Sequence, residues 1–243
     1  MIMGNQQGIH IRDVTAMVLV GGLGTRLRSV ICDRPKVLAP VHGRPFLAYL
    51  LDQIASSGIT KVVLCTGYRA EQIVETFGRK YGKLDLSYSP EPRPLGTAGA
   101  LRLALPLVQS QTVLAMNGDS FCDVDLRAFD SWAASRHTDA SIVAVGMENA
   151  SRYGALDLED DRVVGFQEKA PRPGFGWINA GIYSFRRDFL CSLPLCGPFS
   201  LEKDVFERQL CGELSAFRHC GHFLDIGTPE SLASAESFLA QEF

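Results

Sequence analysis

Three glycines fall within four positions, Gly21, Gly22 and Gly24, followed by Thr25, Arg26 and Leu27 and then by Pro35-Lys36. Glycines so placed let the backbone turn tightly and present bare N–H groups, a nest for an anion that needs no side-chain charge. Arg26 and Lys36 add local positive charge, so phosphate is the ligand this stretch suits best; surface salt bridges are the plainer alternative for both. A dinucleotide-binding fingerprint starting at Gly22 and Gly24 would need glycine where Leu27 stands, and a P-loop would need Gly-Lys-Ser/Thr. Both fail. Two acids complete the set. Asp119 follows the apolar run Thr112 to Met116, and Asp225 follows Phe223-Leu224 just before Gly227-Thr228-Pro229. Mg²⁺ takes one or two carboxylates, with substrate phosphate oxygens and water filling its octahedron, and two acids at two strand ends meet that demand. The alternatives are a turn-forming role for Asp119 in Asn117-Gly118-Asp119 and a capping role for Asp225 at the next helix. Asp123 and Asp125 read as a turn residue and an N-cap. His219, Cys220 and His222 could ligate a metal, but they lack a partner pair at zinc-finger spacing, so none is expected there.

These residues need a frame. Val14 to Val20, Lys61 to Thr66, Leu84 to Ser89 and Thr112 to Met116 are short apolar runs, as strands buried on both faces read. Between them lie helical patterns: Pro45 opens one that Gly58 closes, and others cover Arg69 to Phe77 and Thr97 to Leu105. Asp125 precedes a further helix with Leu126, Phe129 and Ala133 on one face. Strands alternating with helices predict a mostly parallel, Rossmann-like sheet covered on both faces. From about Ser141 the pattern shifts to shorter strands at Ser141 to Val145, Val163 to Gln167 and Ile178 to Phe185, then helices at Leu201 to Cys211 and Pro229 to Ala240. This predicts a mixed β section over the sheet's ligand edge. Ligands of open α/β sheets bind beyond the carboxyl ends of the strands, where the glycines, Asp119 and Asp225 fall.

The bulk numbers agree with a globular protein. The 243 residues are 46% hydrophobic and 21% charged, and a net charge of only −3 supplies no basic field for nucleic acid or an acidic membrane. Seven scattered cysteines without a C-x-x-C pair fit reduced thiols in a cytoplasmic protein. No apolar stretch is long enough for membrane insertion. Residues 1–13 read as a loose extension and 14–243 as a single domain. The oligomeric state stays open, a homo-oligomer included.

The order of these motifs resembles one family. Gly21 to Leu27 with Pro35-Lys36 is similar to the signature of sugar-1-phosphate nucleotidyltransferases. The likeness continues through Pro94 to Ala100, Asn117-Gly118-Asp119, Tyr153-Gly154, Glu168-Lys169, Asn179-Ala180-Gly181 and Asp225 to Pro229, spanning about Val14 to Leu239. Arg28-Ser29 and Arg44-Pro45-Phe46-Leu47 resemble D-glycero-α-D-manno-heptose 1-phosphate guanylyltransferases in particular. The resemblance implies the nucleotide-diphospho-sugar transferase fold, with 14–140 mainly binding nucleotide and 141–243 mainly sugar phosphate. It implies an NTP, GTP favoured, and a sugar 1-phosphate as substrates, with Mg²⁺ on Asp119 and Asp225. Mannose-1-phosphate guanylyl transfer, or uridylyl or thymidylyl transfer to glucose 1-phosphate, are the alternatives.

The same resemblance gives residues their roles. Arg26 and Lys36 would hold the triphosphate and the leaving pyrophosphate. Gly21, Gly22, Gly24 and Thr25, with Leu95, Gly96 and Thr97, would bind the nucleotide; Thr97 could equally be an N-cap. Glu168 would take sugar hydroxyls and Lys169 the sugar phosphate, with Gly154 and Asn179 as further sugar contacts. Asn179 sits in an apolar run and so needs a partner, from the protein or from a ligand.

Overall fold

The computed structural model describes residues 13–22, 24–27, 30–31, 33–167, 174–194, 197–208 and 213–240. The expected extension, apart from Asp13, lies outside them. In chain order the strands and helices are β1 (Val14–Leu19), β2 (Pro40–Val41), β3 (Arg44–Pro45), α1 (Phe46–Ser56), β4 (Lys61–Thr66), α2 (Ala70–Phe77), β5 (Lys80–Tyr81), β6 (Leu84–Pro90), α3 (Gly96–Ala104), β7 (Thr112–Asn117), β8 (Ser120–Cys122) and α4 (Leu126–Ser135). Then come β9 (Ala140–Met147), β10 (Ala155–Glu159), β11 (Arg162–Gln167), β12 (Gly176–Arg186), α5 (Arg187–Ser192), β13 (Ser215–His219), β14 (Phe223–Asp225) and α6 (Pro229–Leu239).

Ten strands form one sheet in the order β10-β11-β13-β9-β12-β7-β1-β4-β6-β5. The run β7-β1-β4-β6 is parallel, as the alternating pattern predicts, and β12 turns the sheet antiparallel at β7. β1 is an interior strand and therefore apolar except at Thr15, whose buried hydroxyl accepts that of Ser110 at 2.8 Å. Its alternate residues supply two cores: Ala16 and Val18 meet α1, α2, α4 and α6, while Met17 meets α3 and α5 on the other face. On α1, Leu50, Leu51 and Ile54 are fully buried, each worth roughly 1.5–3 kcal/mol of transfer free energy. Among the described residues no helix is long and apolar enough to cross a membrane.

The short elements β2, β3, β5, β10, α5 and β13 are absent from the pattern reading, and three further differences lie at the ligand edge. First, β8 and β14 form a separate antiparallel ladder, too short to show periodicity, in which Asp225 pairs with Ser120. Second, the segment expected as a helix from Leu201 to Cys211 is a π-helical turn over Leu201–Phe206, with the Glu207 N–H donating to the Glu202 carbonyl at 3.1 Å; 209–212 lie outside the described residues. Third, β12 shifts register between Asn179 and Tyr183, where Gly181 takes a φ of 72°. Contacts with the rest of the molecule override local pattern at each of these places.

Candidate active site

Two adjoining cavities open at the carboxyl end of the parallel strands. The larger, about 490 Å³, is lined by Gly21, Gly22, Gly24, Lys36, Glu91, Gly96, Thr97, Asn117 and Asp119, with apolar walls from Val20, Val37 and Ala100. The smaller, about 170 Å³, is lined by Arg26, Lys36, Asn117, Asp119, Arg152, Gly154, Asn179, Glu202 and Asp225. Lys36, Asn117 and Asp119 belong to both.

At that junction the Lys36 Nζ lies 2.8 Å from the Asp119 Oδ2, with the lysine side chain 11% exposed and the aspartate 46%. β7 carries Asp119 to the edge, and the Ile226 N–H donates to the Asp119 carbonyl at 2.9 Å. The β8–β14 ladder thereby brings Asp119 and Asp225 into one cavity despite their distance in sequence. Asp225 also accepts the Gly227 N–H, a local turn that aims its carboxylate. It does not cap the last helix: Thr228 does, accepting the Ser231 N–H at 3.2 Å. Two carboxylates lining one cavity with Lys36 and Arg26 offer the hard oxygen donors that a divalent ion takes. Arg26 is exposed, in a short 3₁₀ turn over Thr25–Leu27, and faces the smaller cavity.

The glycine-rich loop and the start of α3 are held by close backbone approaches. A Cβ at Gly21 would fall 2.7 Å from Glu91 Oε1, and one at Gly96, whose φ is 74°, would fall 2.6 Å from the Phe199 carbonyl oxygen. That carbonyl accepts the Ala98 and Gly99 N–H groups at 3.0 and 3.2 Å. Leu95 is buried and does not line the cavity; its N–H donates to Glu91 Oε2 at 2.7 Å. Thr97 is not an N-cap. It lies inside α3, where its hydroxyl donates to Glu202 Oε2 at 2.8 Å and accepts the Leu201 N–H at 2.7 Å.

In the smaller cavity the β12 irregularity turns Asn179 inward. Its Nδ2 donates to the Tyr183 hydroxyl at 2.8 Å, its Oδ1 accepts the Gly181 N–H at 2.8 Å, and its own N–H meets the Gly154 carbonyl at 2.9 Å. Asn179 thus has protein partners and also lines the cavity. Tyr183 is wholly buried, and burial with the nearby Glu202 charge pushes its phenol well above the ordinary value. Glu168 and Lys169 lie outside the described residues.

Three charged cavity residues escape the sequence reading: Glu91, Arg152 and Glu202. Glu91 had a signal, an acid directly after β6 at the ligand edge. Burial pushes its carboxyl up against the lowering effect of the Leu95 N–H. Arg152 adjoins Gly154 in sequence, whereas nothing local marks Glu202. Asp125 caps α4 as expected, accepting the Arg127 and Ala128 N–H groups at 2.8 and 3.2 Å. Asp123 is more than a turn residue: it accepts from His219 Nε2 at 2.5 Å and from the His222 N–H at 2.9 Å. Ligand atoms of Cys122, Asp123 and His219 lie within 4.8 Å of one another. Among the described residues Cys65, Cys122, Cys191 and Cys220 are thiols, and burial raises that of Cys65 to about 12.

Comparison with known proteins adds to this geometry. The family model described as nucleotidyl transferase matches residues 15–242. The chain is 36% identical over 225 residues to the D-glycero-alpha-D-manno-heptose 1-phosphate guanylyltransferase of Aneurinibacillus thermoaerophilus, covering 92% of this chain and 97% of that protein. It is 33% identical over 233 residues to the mannose-1-phosphate guanylyltransferase of Mycobacterium tuberculosis, covering 94% of this chain and 65% of that one. The crystal structure of HddC from Yersinia pseudotuberculosis complexed with GMP-PN superposes with a TM-score of 0.81 at 31% identity, covering 93% of this chain and 99% of that one.

Proposed function

The chain belongs to the nucleotidyl transferase family, and from that premise we propose that it transfers GMP from GTP to D-glycero-α-D-manno-heptose 1-phosphate, giving GDP-heptose and pyrophosphate. The observation that carries this reading is the junction of the two cavities, where Lys36 and Asp119 stand between a glycine-lined pocket and a polar one that Asp225 also lines.

The reaction joins two anions, so its barrier is chiefly one of positioning and charge neutralisation. The sugar phosphate oxygen attacks the α-phosphorus of the nucleotide as the pyrophosphate leaves on the opposite side. In this reading the nucleotide occupies the larger cavity, its phosphates reaching toward Lys36 and Arg26, and the sugar phosphate the smaller. Lys36 first holds Asp119 in place and then meets the triphosphate as a point charge. Arg26, with Arg152 on the same cavity, neutralises the phosphate groups that crowd together in the transition state. Asp119 and Asp225 would hold Mg²⁺, which when bound supplies positive charge to the phosphate oxygens. Lys169 and Glu168 remain the proposed ligands of the sugar's phosphate and hydroxyls. Gly154 contributes backbone groups and Asn179 its amide.

Guanine is supported by Glu91. Its carboxylate lines the larger cavity, fixed by the Leu95 N–H, and guanine presents two adjacent N–H donors on its Watson–Crick edge. Relatives of both named activities use GTP chemistry by name, so the base is better supported than the sugar, and mannose 1-phosphate is the second reading. Pyrophosphate release measured across GTP, ATP, UTP and dTTP against heptose, mannose and glucose 1-phosphates tests the proposal. Fastest turnover with GTP and the heptose phosphate is expected. Fastest turnover with UTP or dTTP rejects the guanylyl assignment.

A further inference from the structure

Glu202 is a carboxylate on the smaller cavity to which neither the motifs nor the reaction described above assigns a task. Its two oxygens are unequally used. Oε2 accepts the Thr97 hydroxyl at 2.8 Å and the Ser200 hydroxyl at 2.7 Å. Among the described residues Oε1 has only the Tyr183 hydroxyl, at 3.5 Å, the outer limit of a hydrogen bond. A carboxylate offers about four acceptor sites, and on this half-buried residue the lightly engaged second oxygen keeps acceptor capacity for a ligand in the cavity it lines. The residue lines the same space as Gly154, Asn179 and Asp225.

The backbone around Glu202 is equally unusual. It lies in the first turn of a π-helical segment, a rare winding that recurs at functional sites. The preceding residues clamp onto the base-binding loop: the Phe199 N–H donates to the Leu95 carbonyl at 2.7 Å, and the Phe199 carbonyl takes two N–H groups of α3. Through Thr97 on one side and Tyr183 and Asn179 on the other, a single hydrogen-bonded chain runs from the larger cavity to the smaller.

We infer that Glu202 is a sugar-recognition residue, its Oε1 accepting a hydroxyl proton of the sugar 1-phosphate while Oε2 anchors it to the base-binding loop. This inference rests on the proposed assignment of the smaller cavity to the sugar phosphate. It adds a recognition carboxylate on the described side of that cavity, distinct from Glu168. The anchoring through Thr97 sets the carboxylate's position relative to the nucleotide, so one rigid unit spaces the two substrates.

The test is equilibrium binding of D-glycero-α-D-manno-heptose 1-phosphate and of GTP by calorimetry, on the full chain and on Glu202→Gln and Glu202→Ala. The glutamine variant keeps the side-chain volume, so it reports even if the alanine variant unfolds. Losing a hydrogen bond to a charged acceptor predicts sugar-phosphate affinity lower by roughly 10- to 100-fold, with GTP affinity within about twofold. Deoxy and methylated sugar phosphates identify the hydroxyl: removing it should weaken binding to the wild type and have little further effect in Glu202→Ala. Wild-type sugar-phosphate affinity in both variants overturns the inference, as does an equal loss for both ligands, which would mark a merely structural role. A wild-type protein that binds the phosphosugar but turns over fastest with UTP or dTTP rejects the guanylyl reading alone. One that binds no sugar 1-phosphate overturns both.

Discussion

Replacing Asp119 by Asn removes a negative charge while keeping the side-chain shape, so its consequences can be worked from the Lys36–Asp119 pair. At 2.8 Å the attraction is about 6 kcal/mol for an effective dielectric constant of about 20 and about 1.5 kcal/mol in water. Asp119 is 46% exposed, so solvent screening brings the net contribution down to about 1 kcal/mol. The metal-free variant should therefore melt lower by about 2–4 °C. Metal dependence should change more. Even partners standing behind a ligand cost roughly 10–100-fold in metal affinity, so losing one of two carboxylate ligands should raise the half-saturating Mg²⁺ at least about tenfold. The assay is pyrophosphate release against Mg²⁺ concentration with both substrates saturating, beside melting curves in chelator. An unchanged Mg²⁺ titration refutes the ligand role of Asp119, and an unchanged melting point refutes the stabilising role of the pair.

Lys36→Met should lower kcat by roughly 10²–10³, as loss of a transition-state charge donor does, without raising the half-saturating Mg²⁺, because Asp119 is released to the metal. A weaker Mg²⁺ response in that variant would contradict the arrangement. Gly96→Ala forces a left-handed alanine, at about 1–2 kcal/mol, and its Cβ at 2.6 Å displaces the Phe199 carbonyl from its two N–H partners, at about 1 kcal/mol each. Thermal melting should show a loss on the order of 5–15 °C, and an unchanged midpoint would refute the close packing. Burial raises the Glu91 carboxyl, so the folded state keeps that proton to higher pH than the unfolded chain does. This contribution makes folding stability decline as pH rises through the interval between the two values. Glu91→Gln should therefore be more stable than wild type at neutral pH and gain nothing well below pH ~4. The same variant should bind GTP more weakly at neutral pH and lose the acid-side fall in affinity expected as Glu91 is protonated. Identical pH profiles for the two proteins would remove Glu91 from base recognition.

Much of the fold is legible in sequence because its central strands are covered on both faces. Val14 to Val20 and Lys61 to Thr66 must be apolar at nearly every position, and such runs stand out. The glycines from Gly21 to Gly24 are equally visible: at Gly21 only a small residue allows the approach to Glu91 and Gly67, and Gly24 takes a φ of 57°. The ladder of β8 and β14 is not visible in this way. Three residues a side carry no usable periodicity, and pairing partners lie on opposite ends of the second half of the chain. The π turn beginning at Leu201 reads as an ordinary helix because its winding answers to Thr97 and to the contacts of Phe199 with Leu95 and α3, all remote in sequence. Glu91 could have been found as an acid at the end of a strand; Glu202 had no such mark.

Read alone, the chain specifies its chemical equipment: a glycine nest, Arg26 and Lys36, and acids at the ends of buried strands. Those choices are stamped into local spacing because each is made by the backbone within a few residues. Which groups meet is a matter of distance through space, and that is a property of the folded pairing. The ladder joining Ser120 to Asp225, the bulge that turns Asn179 and the clamp of Phe199 on α3 each couple residues remote in sequence. No window of sequence contains both sides of such a contact, so the placing of Asp119 and Asp225 on one cavity, and the bond of Thr97 to Glu202, emerge only once the sheet is assembled.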